Sequence, residues 1–252
     1  MAKYSVSRSF VWEGAVTEKV AAVMRMFGLT AERLRGRTFS HSCEIEIGDG
    51  DIVYITGPSG CGKSVLLREL KKSVPAEERV DLDEIELPAG KTLIDCVGGD
   101  FLAGLRFLSI AGLNDVFCVL NQPVNLSEGQ KYRFRLAMAL AAEKRFIFAD
   151  EFCSNLDRIS AAVISFNIHK FAKKAGVSFI LAGAHDDILV DLEPDVLVVK
   201  ELSGETEVVY KKRIADRKGK SKIKDDILKC KNYKNAEHKR SPEQRPLNEC
   251  WG

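Results

Sequence analysis

The chain has 252 residues, 45% of them apolar and 29% charged, with a formal net charge of +2. This is an ordinary soluble globular balance, long enough for one large domain with additions. No run of about 18 apolar residues occurs, which excludes a membrane-spanning helix; the first ten residues lack the apolar core of a signal peptide, so a cytoplasmic protein is expected.

Seven cysteines are scattered without metal-type spacing, which predicts reduced thiols. The small net charge hides an asymmetry. Residues 211–252 carry fourteen Lys/Arg against six Asp/Glu, leaving 24 against 30 in the remainder. A basic tail of this kind points to nucleic acid as a partner class, although a solvated solubility segment has the same composition.

In chain order, Tyr4 to Trp12 predicts an edge strand. Val16 to Phe27 predicts a helix with Val20, Val23, Met24 and Phe27 on one stripe, ended by Gly28. Cys43 to Ile47 alternates as a strand does, and Gly48-Asp49-Gly50 turns into an apolar, β-branched run at Asp51–Thr56 that reads as a buried strand. Gly57-Pro58-Ser59-Gly60-Cys61-Gly62-Lys63-Ser64 is a complete phosphate loop, and the run from Val65 has helical spacing. The glycines let the backbone wrap a phosphate chain, and the helix start adds free N–H donors. Residues Gly57 to Val65 form the nucleotide-binding set, in which Lys63 reaches the β- and γ-phosphates and Ser64 holds Mg²⁺.

Arg79 to Asp83 predicts a short strand, Leu93 to Val97 an extended segment and Phe101 to Ala111 a helix. Ser127 with Gln130 three places on opens the next helix. A capping box explains that pair locally; the same helix start also offers N–H groups and the Ser127 hydroxyl to a phosphate. Arg145 to Ala149 predicts a buried parallel strand that delivers Asp150 and Glu151 to the ligand side of the sheet. Asp150 suits Mg²⁺, and Glu151 is placed to deprotonate a water; alternatively the acids cap the helix after Ser154-Asn155-Leu156-Asp157. Ile159 to Lys173 predicts a helix and Val177 to Gly183 another buried strand. His185 follows it, where an imidazole can donate to a γ-phosphate oxygen. Val196–Lys200 and Glu205–Tyr210 predict a terminal hairpin, and a mobile tail is expected beyond it.

In this order, over roughly residues 40–210, the motifs resemble the nucleotide-binding domain of the ABC ATPase superfamily. Gly57–Ser64 is similar to its Walker A loop, Leu126–Gln130 to its signature motif, Phe146–Glu151 to its Walker B strand, Ser154–Asp157 to its D-loop and His185 to its switch histidine. The resemblance implies an α/β P-loop NTPase three-layer fold: an ATPase domain at 40–210 with a small helical subdomain at about 95–144, an N-terminal strand/helix extension at 1–39 and the tail at 211–252. It implies ATP and Mg²⁺ as cofactors and a head-to-tail homodimer. One subunit would supply Gly57–Val65, Asp150, Glu151 and His185, and the other Ser127, Gly129 and Gln130, with Asp157 in the D-loop.

The family's Q-loop glutamine has no direct match, and Asp95 is the nearest polar residue in a suitable setting. Phe39, with Phe27 behind it, is the candidate for stacking on adenine. The helical segment is shorter than in transporter ATPases. That favours a soluble ATPase driving a cytoplasmic process such as nucleic-acid modification or repair, similar to ABC-type ATPases associated with acetyltransferase-like domains, here a separate chain. The alternative is the ATP-binding subunit of a membrane ABC transporter.

Overall fold

The computed structural model describes residues 1–36, 39–202 and 204–211, the side chains of residues 39 and 40 excepted; the expected tail lies outside the described residues save for Lys211. Residues Met1–Tyr210 form one compact unit. Strand β1 (Ala2–Phe10) pairs antiparallel with β2 (Phe39–Ile47), from Ala2 opposite Ile47 to Phe10 opposite Phe39. The two strands form a sheet of their own. Helices α1 (Glu18–Met26) and α2 (Ala31–Arg35) lie between them in sequence. Each starts at a threonine, Thr17 or Thr30, whose hydroxyl accepts the N–H three residues on.

The turn after β2 is closed by Asp51, whose carboxylate accepts the Gly48 N–H at 2.7 Å. It does not make a hairpin. β3 (Ile52–Thr56) enters a second sheet instead, followed by α3 (Lys63–Lys72) and β4 (Arg79–Asp81).

Four further helices come next: α4 (Leu93–Cys96), α5 (Phe101–Ile110), α6 (Val116–Val119) and α7 (Glu128–Ala141). α4 corrects the extended segment expected at Leu93–Val97. Thr92 stands at the N-cap in extended geometry, and the Asp95 carboxylate takes its hydroxyl at 2.5 Å, so a single helical turn closes. The β-branched Ile94 and Val97 suggest a strand, but the local hydrogen bond decides.

The chain ends through β5 (Phe146–Ala149), α8 (Arg158–Ala175), β6 (Ser178–Ala182), α9 (Leu189–Leu192), β7 (Val196–Lys200) and β8 (Thr206–Tyr210). The second sheet has the order β4-β5-β6-β3-β7-β8, parallel throughout except for the final hairpin between β7 and β8. β3, β5 and β6 are buried at every position, which is why their sequences are continuous apolar runs.

α3 packs against both sheets, so Leu66, Leu67 and Leu70 share one core with Val6 and Ile45 on one side and Val53, Ile55 and Ile180 on the other. Side chains alternate across a strand, so Phe179 faces away from α3 and meets Phe171 of α8, ring centroids 6.4 Å apart. The architecture is therefore layered, with helices on both faces of a mostly parallel sheet. All its parallel strands end at one edge, where ligands bind in this class of fold.

Candidate nucleotide site

The phosphate loop follows the C-terminal end of β3, and its glycines have physical reasons. Gly57, Gly60 and Gly62 adopt φ values of 149°, 79° and 95°. A Cβ at Gly57 would lie 2.2 Å from the Lys200 carbonyl oxygen, so no side chain fits there. Gly62 stands at the N-cap of α3 and provides no side-chain cap, which leaves the helix's first N–H groups for a ligand. Cys61 is buried in the loop, its N–H donated to the Pro58 carbonyl at 3.3 Å. The Lys63 ammonium donates to the carbonyls of Gly57 at 2.8 Å and Pro58 at 3.0 Å, crossing the loop. Ser64 follows in the first turn of α3. Glycine turns, uncapped N–H groups and a lysine that donates to two neutral carbonyls fit a phosphate chain.

β5 carries Asp150 and Glu151 out of the sheet at the same edge. Asp150 accepts the Glu151 N–H at 3.0 Å. Glu151 and Cys153 both have positive φ, 45° and 60°, a conformation that costs a residue with a side chain about 1 kcal/mol or more. Three bonds hold this tight turn: Phe152 N–H to the Ala182 carbonyl at 2.7 Å, Ser154 N–H to the Glu151 carbonyl at 2.9 Å, and Cys153 N–H to the Tyr132 hydroxyl at 3.1 Å. Burial pushes the Cys153 thiol up to about 12, so it stays protonated.

His185 follows β6 with its side chain exposed and its carbonyl accepting the Tyr54 hydroxyl at 2.9 Å. Tyr54 passes over Gly183, where a Cβ would lie 2.5 Å from the phenolic oxygen. The Thr56 hydroxyl, at the end of β3, donates to Asp186 at 2.9 Å. Phosphate loop, acid pair and histidine are thus tied to one sheet edge.

Ser127 and Gln130 form a complete capping box. The Gln130 N–H donates to Ser127 Oγ at 3.3 Å, and Gln130 Oε1 accepts the Ser127 N–H at 2.9 Å. Gly129 lies against Asn155 and Leu156; a Cβ there would meet the Asn155 carbonyl at 3.4 Å and Leu156 Cδ2 at 3.5 Å. Among the described residues no hydrogen bond or ion pair joins Ser127, Gly129 or Gln130 to the phosphate loop of the same chain. The Asp157 carboxylate caps α8, accepting the N–H groups of Ile159 at 3.0 Å and Ser160 at 2.9 Å. Its hydrogen bonds with Ser160 hold it below the usual carboxylate range.

Two residues escape the sequence patterns. The strand after α3 is β4, which ends at Asp81, so the chain leaves the sheet there and not near Asp95. Asp95 sits on α4 and accepts the Thr92 hydroxyl, whereas Asp83 lies two residues beyond the end of β4. The Asp83 carboxyl is raised above its usual range, first by loss of surrounding water and then by the charges of Asp81 and Asp150. The Arg135 guanidinium of α7 holds this segment by donating to the Ile85 carbonyl at 3.2 Å. The signal available in sequence is the position two residues beyond β4.

The second is Phe10. The β1–β2 register sets Phe10 opposite Phe39, whose side chain lies outside the described residues. The Phe10 ring meets His41 edge-on, centroids 5.9 Å apart, with the Arg8 guanidinium 5.4 Å from its centre. His41 rests on the phosphate loop so closely that a Cβ on Gly62 would lie 2.5 Å from its ring. Its Nδ1 is buried without a partner among the described residues, and burial holds its pKa below the ordinary value. Phe10 is 40% exposed and reaches the phosphate loop only through His41. Phe27 is exposed at the C-terminal end of α1.

No protein-family model matches the chain. It is 27% identical over 210 residues to an sn-glycerol-3-phosphate import ATP-binding protein of Chromohalobacter salexigens, covering 71% of this chain and 56% of that protein. It is 30% identical over 196 residues to an aliphatic sulfonates import ATP-binding protein of Pseudomonas putida, covering 67% of this chain and 71% of that one. The chain thus spans little more than half of the first relative's length. The fold is similar to a dimeric bacterial ABC transporter cassette, with a TM-score of 0.56 and 18% identity over 69% of this chain and 92% of that one. Sequence likeness, parallel-sheet order and a phosphate loop opposite an acid-tipped strand converge, and the chain belongs to the ABC ATPase superfamily as a nucleotide-binding domain.

Proposed function

We propose that the chain binds and hydrolyses ATP with Mg²⁺ at a site completed by a second copy, and that it is the ATP-binding subunit of a membrane transporter. Gly57–Val65 would wrap the phosphates, with Lys63 released from the two loop carbonyls onto phosphate oxygens. Ser64 and Asp150 would hold Mg²⁺, a hard cation that takes oxygen ligands. Among the described residues no three His, Cys, Asp or Glu side chains gather as a metal cage. Phosphate oxygens and water would therefore complete the shell. Glu151 would take the proton of the attacking water, with His185 donating to the γ-phosphate. Ser127 and Gly129 of the second copy would close the site.

The observation that carries the coupling reading is the apolar face of the helical subdomain. Val116, Phe117, Leu120 and Val124 are 58%, 82%, 60% and 74% exposed within nine residues of sequence. Exposed apolar clusters of this kind mark interaction surfaces. Both named bacterial relatives are import ATP-binding proteins. No helix among the described residues is long and apolar enough to cross a membrane, so a transporter would need a separate membrane chain. The likeness to two import ATP-binding proteins favours this alternative over the expectation, drawn from the short helical segment and the basic tail, of a soluble nucleic-acid or acetyltransferase-linked machine.

The test is Glu151→Gln with and without ATP–Mg²⁺, followed by size exclusion with light scattering. An ATP-dependent dimer that captures a membrane protein, and loses it when Phe117→Glu and Val124→Glu are added, supports both halves. A monomer throughout removes the shared site. A dimer indifferent to the two glutamates removes the coupling surface.

A further inference from the structure

A cavity of about 810 Å³ opens at the far edge of the main sheet, between α5, the C-terminal end of α7 and the C-terminal end of α8. Arg145, just before β5, and Val177, just before β6, line it. Both precede strands that run toward the nucleotide edge, so the cavity lies at the opposite end of the sheet. Its volume falls within the roughly 300–1,000 Å³ of small-molecule sites.

The floor is apolar. Phe107 meets Phe171 edge-on at 6.3 Å, with Leu140 and Val177 beside them. The rim is cationic. Lys144 donates to the Glu77 carbonyl at 2.8 Å, a neutral acceptor that leaves its charge uncompensated. Arg106 and Lys174 are exposed and make no hydrogen bond or ion pair among the described residues. Arg145 is already neutralised by Asp49 and Glu78 at 2.9 and 3.4 Å. Two acids also lie on the rim. Asp100 accepts the neutral Ala103 N–H at 2.8 Å and so keeps its charge, as does Glu143 just after α7; the lining sets four cations against these two acids.

We propose that this cavity binds a small amphipathic anion, its apolar body on Phe107 and Phe171 and its acidic head at Arg106, Lys174 and Lys144. The charge on the rim selects an anion, and the apolar floor excludes a bare inorganic one. Leu140 belongs to α7, the helix that starts next to Ser127; a 14-residue helix spans about 21 Å. An occupant would brace α5 against the far end of the helix that carries the signature residues.

The experiment is calorimetric titration of the full chain, below micellar concentration, with decanoate, decyl phosphate and decanol. One-to-one binding of at least one anion, with decanol at least tenfold weaker, is expected; the stronger anion identifies a carboxylate or a phosphate head. Arg106→Glu with Lys174→Glu, both exposed, should weaken the anion at least tenfold and leave ATP affinity unchanged. Ala103→Trp, which fills the cavity, should abolish binding. Equal affinity for decanol, no binding of either anion, or wild-type affinity in the double variant overturns the proposal.

Discussion

The Tyr132 hydroxyl accepts the Cys153 N–H at 3.1 Å, a bond that ties α7 to the turn after Glu151. Tyr132 is buried, and its pKa is pushed well up by that burial, so the phenol stays neutral. Two of the segments that would meet ATP in different subunits are thus mechanically joined within one chain. Tyr132→Phe leaves the buried Cys153 N–H without its acceptor, at a cost of about 1–3 kcal/mol. A fall of several degrees in Tm is expected in a domain of this size. An unchanged melting curve would show that water replaces the phenol and that the link carries no load.

Gly62 and His41 form a second coupled pair. Gly62→Ala places a Cβ 2.5 Å from the His41 ring and forces alanine to a φ of 95°. ATP affinity should fall at least tenfold, read by titration with a fluorescent ATP analogue. Adding His41→Ala removes the collision but not the backbone strain, so part of the affinity should return. Equal loss in the single and double variants would mean that backbone strain alone governs the site.

Phe10 and Phe39 are separable by substitution. Stacking of a base on an aromatic ring is worth about 1–3 kcal/mol by alanine replacement. Phe10→Ala should therefore raise the Kd for ATP by roughly tenfold or more while sparing binding of inorganic triphosphate, which has no base. A similar loss for triphosphate would assign Phe10 to holding His41 and the loop instead.

The phosphate loop, the signature run and the acid pair are legible in sequence because each is contiguous. Positive φ demands glycine at Gly57, Gly60 and Gly62, and a buried strand demands the apolar run before Asp150, so the pattern is written locally. Asp83 and Phe10 are not legible in that way. Asp83 matters because β4 ends at Asp81, a boundary that a three-residue strand hardly marks. Phe10 matters because β1 pairs with β2 across an intervening pair of helices, a contact that no local spacing encodes. The segment around Asp95 departs from the expectation for the converse reason: a Thr-x-x-Asp turn closes where an extended segment is expected, and the Asp95 carboxylate is used within its own turn.

Asp83 should make stability depend on pH. Its folded-state pKa is raised above the ordinary 3.8, so the native chain holds this proton more tightly than the unfolded one. The stabilisation is therefore full below the unfolded value and is lost as pH rises through the folded value. Asp83→Asn removes the charge that Asp81 and Asp150 oppose. The variant's Tm should gain on the wild type as pH climbs from the ordinary carboxylate range toward neutrality, in the nucleotide-free chain. A constant difference across that range would show that neither burial nor the Asp81 and Asp150 charges raise the Asp83 carboxyl.

Glu151 stores backbone strain at the residue proposed to activate water. Its φ of 45° suits glycine, so Glu151→Gly should raise stability by about 0.5–1 kcal/mol while reducing ATP turnover at least a hundredfold. Glu151→Gln should lose turnover as severely and gain no stability, because glutamine has the same backbone preferences as glutamate. Urea denaturation and phosphate release on the three proteins separate the two effects. Equal stability for glycine and glutamine would mean that the bonds of Phe152, Cys153 and Ser154 relieve the strain completely, and that the turn holds Glu151 without backbone cost.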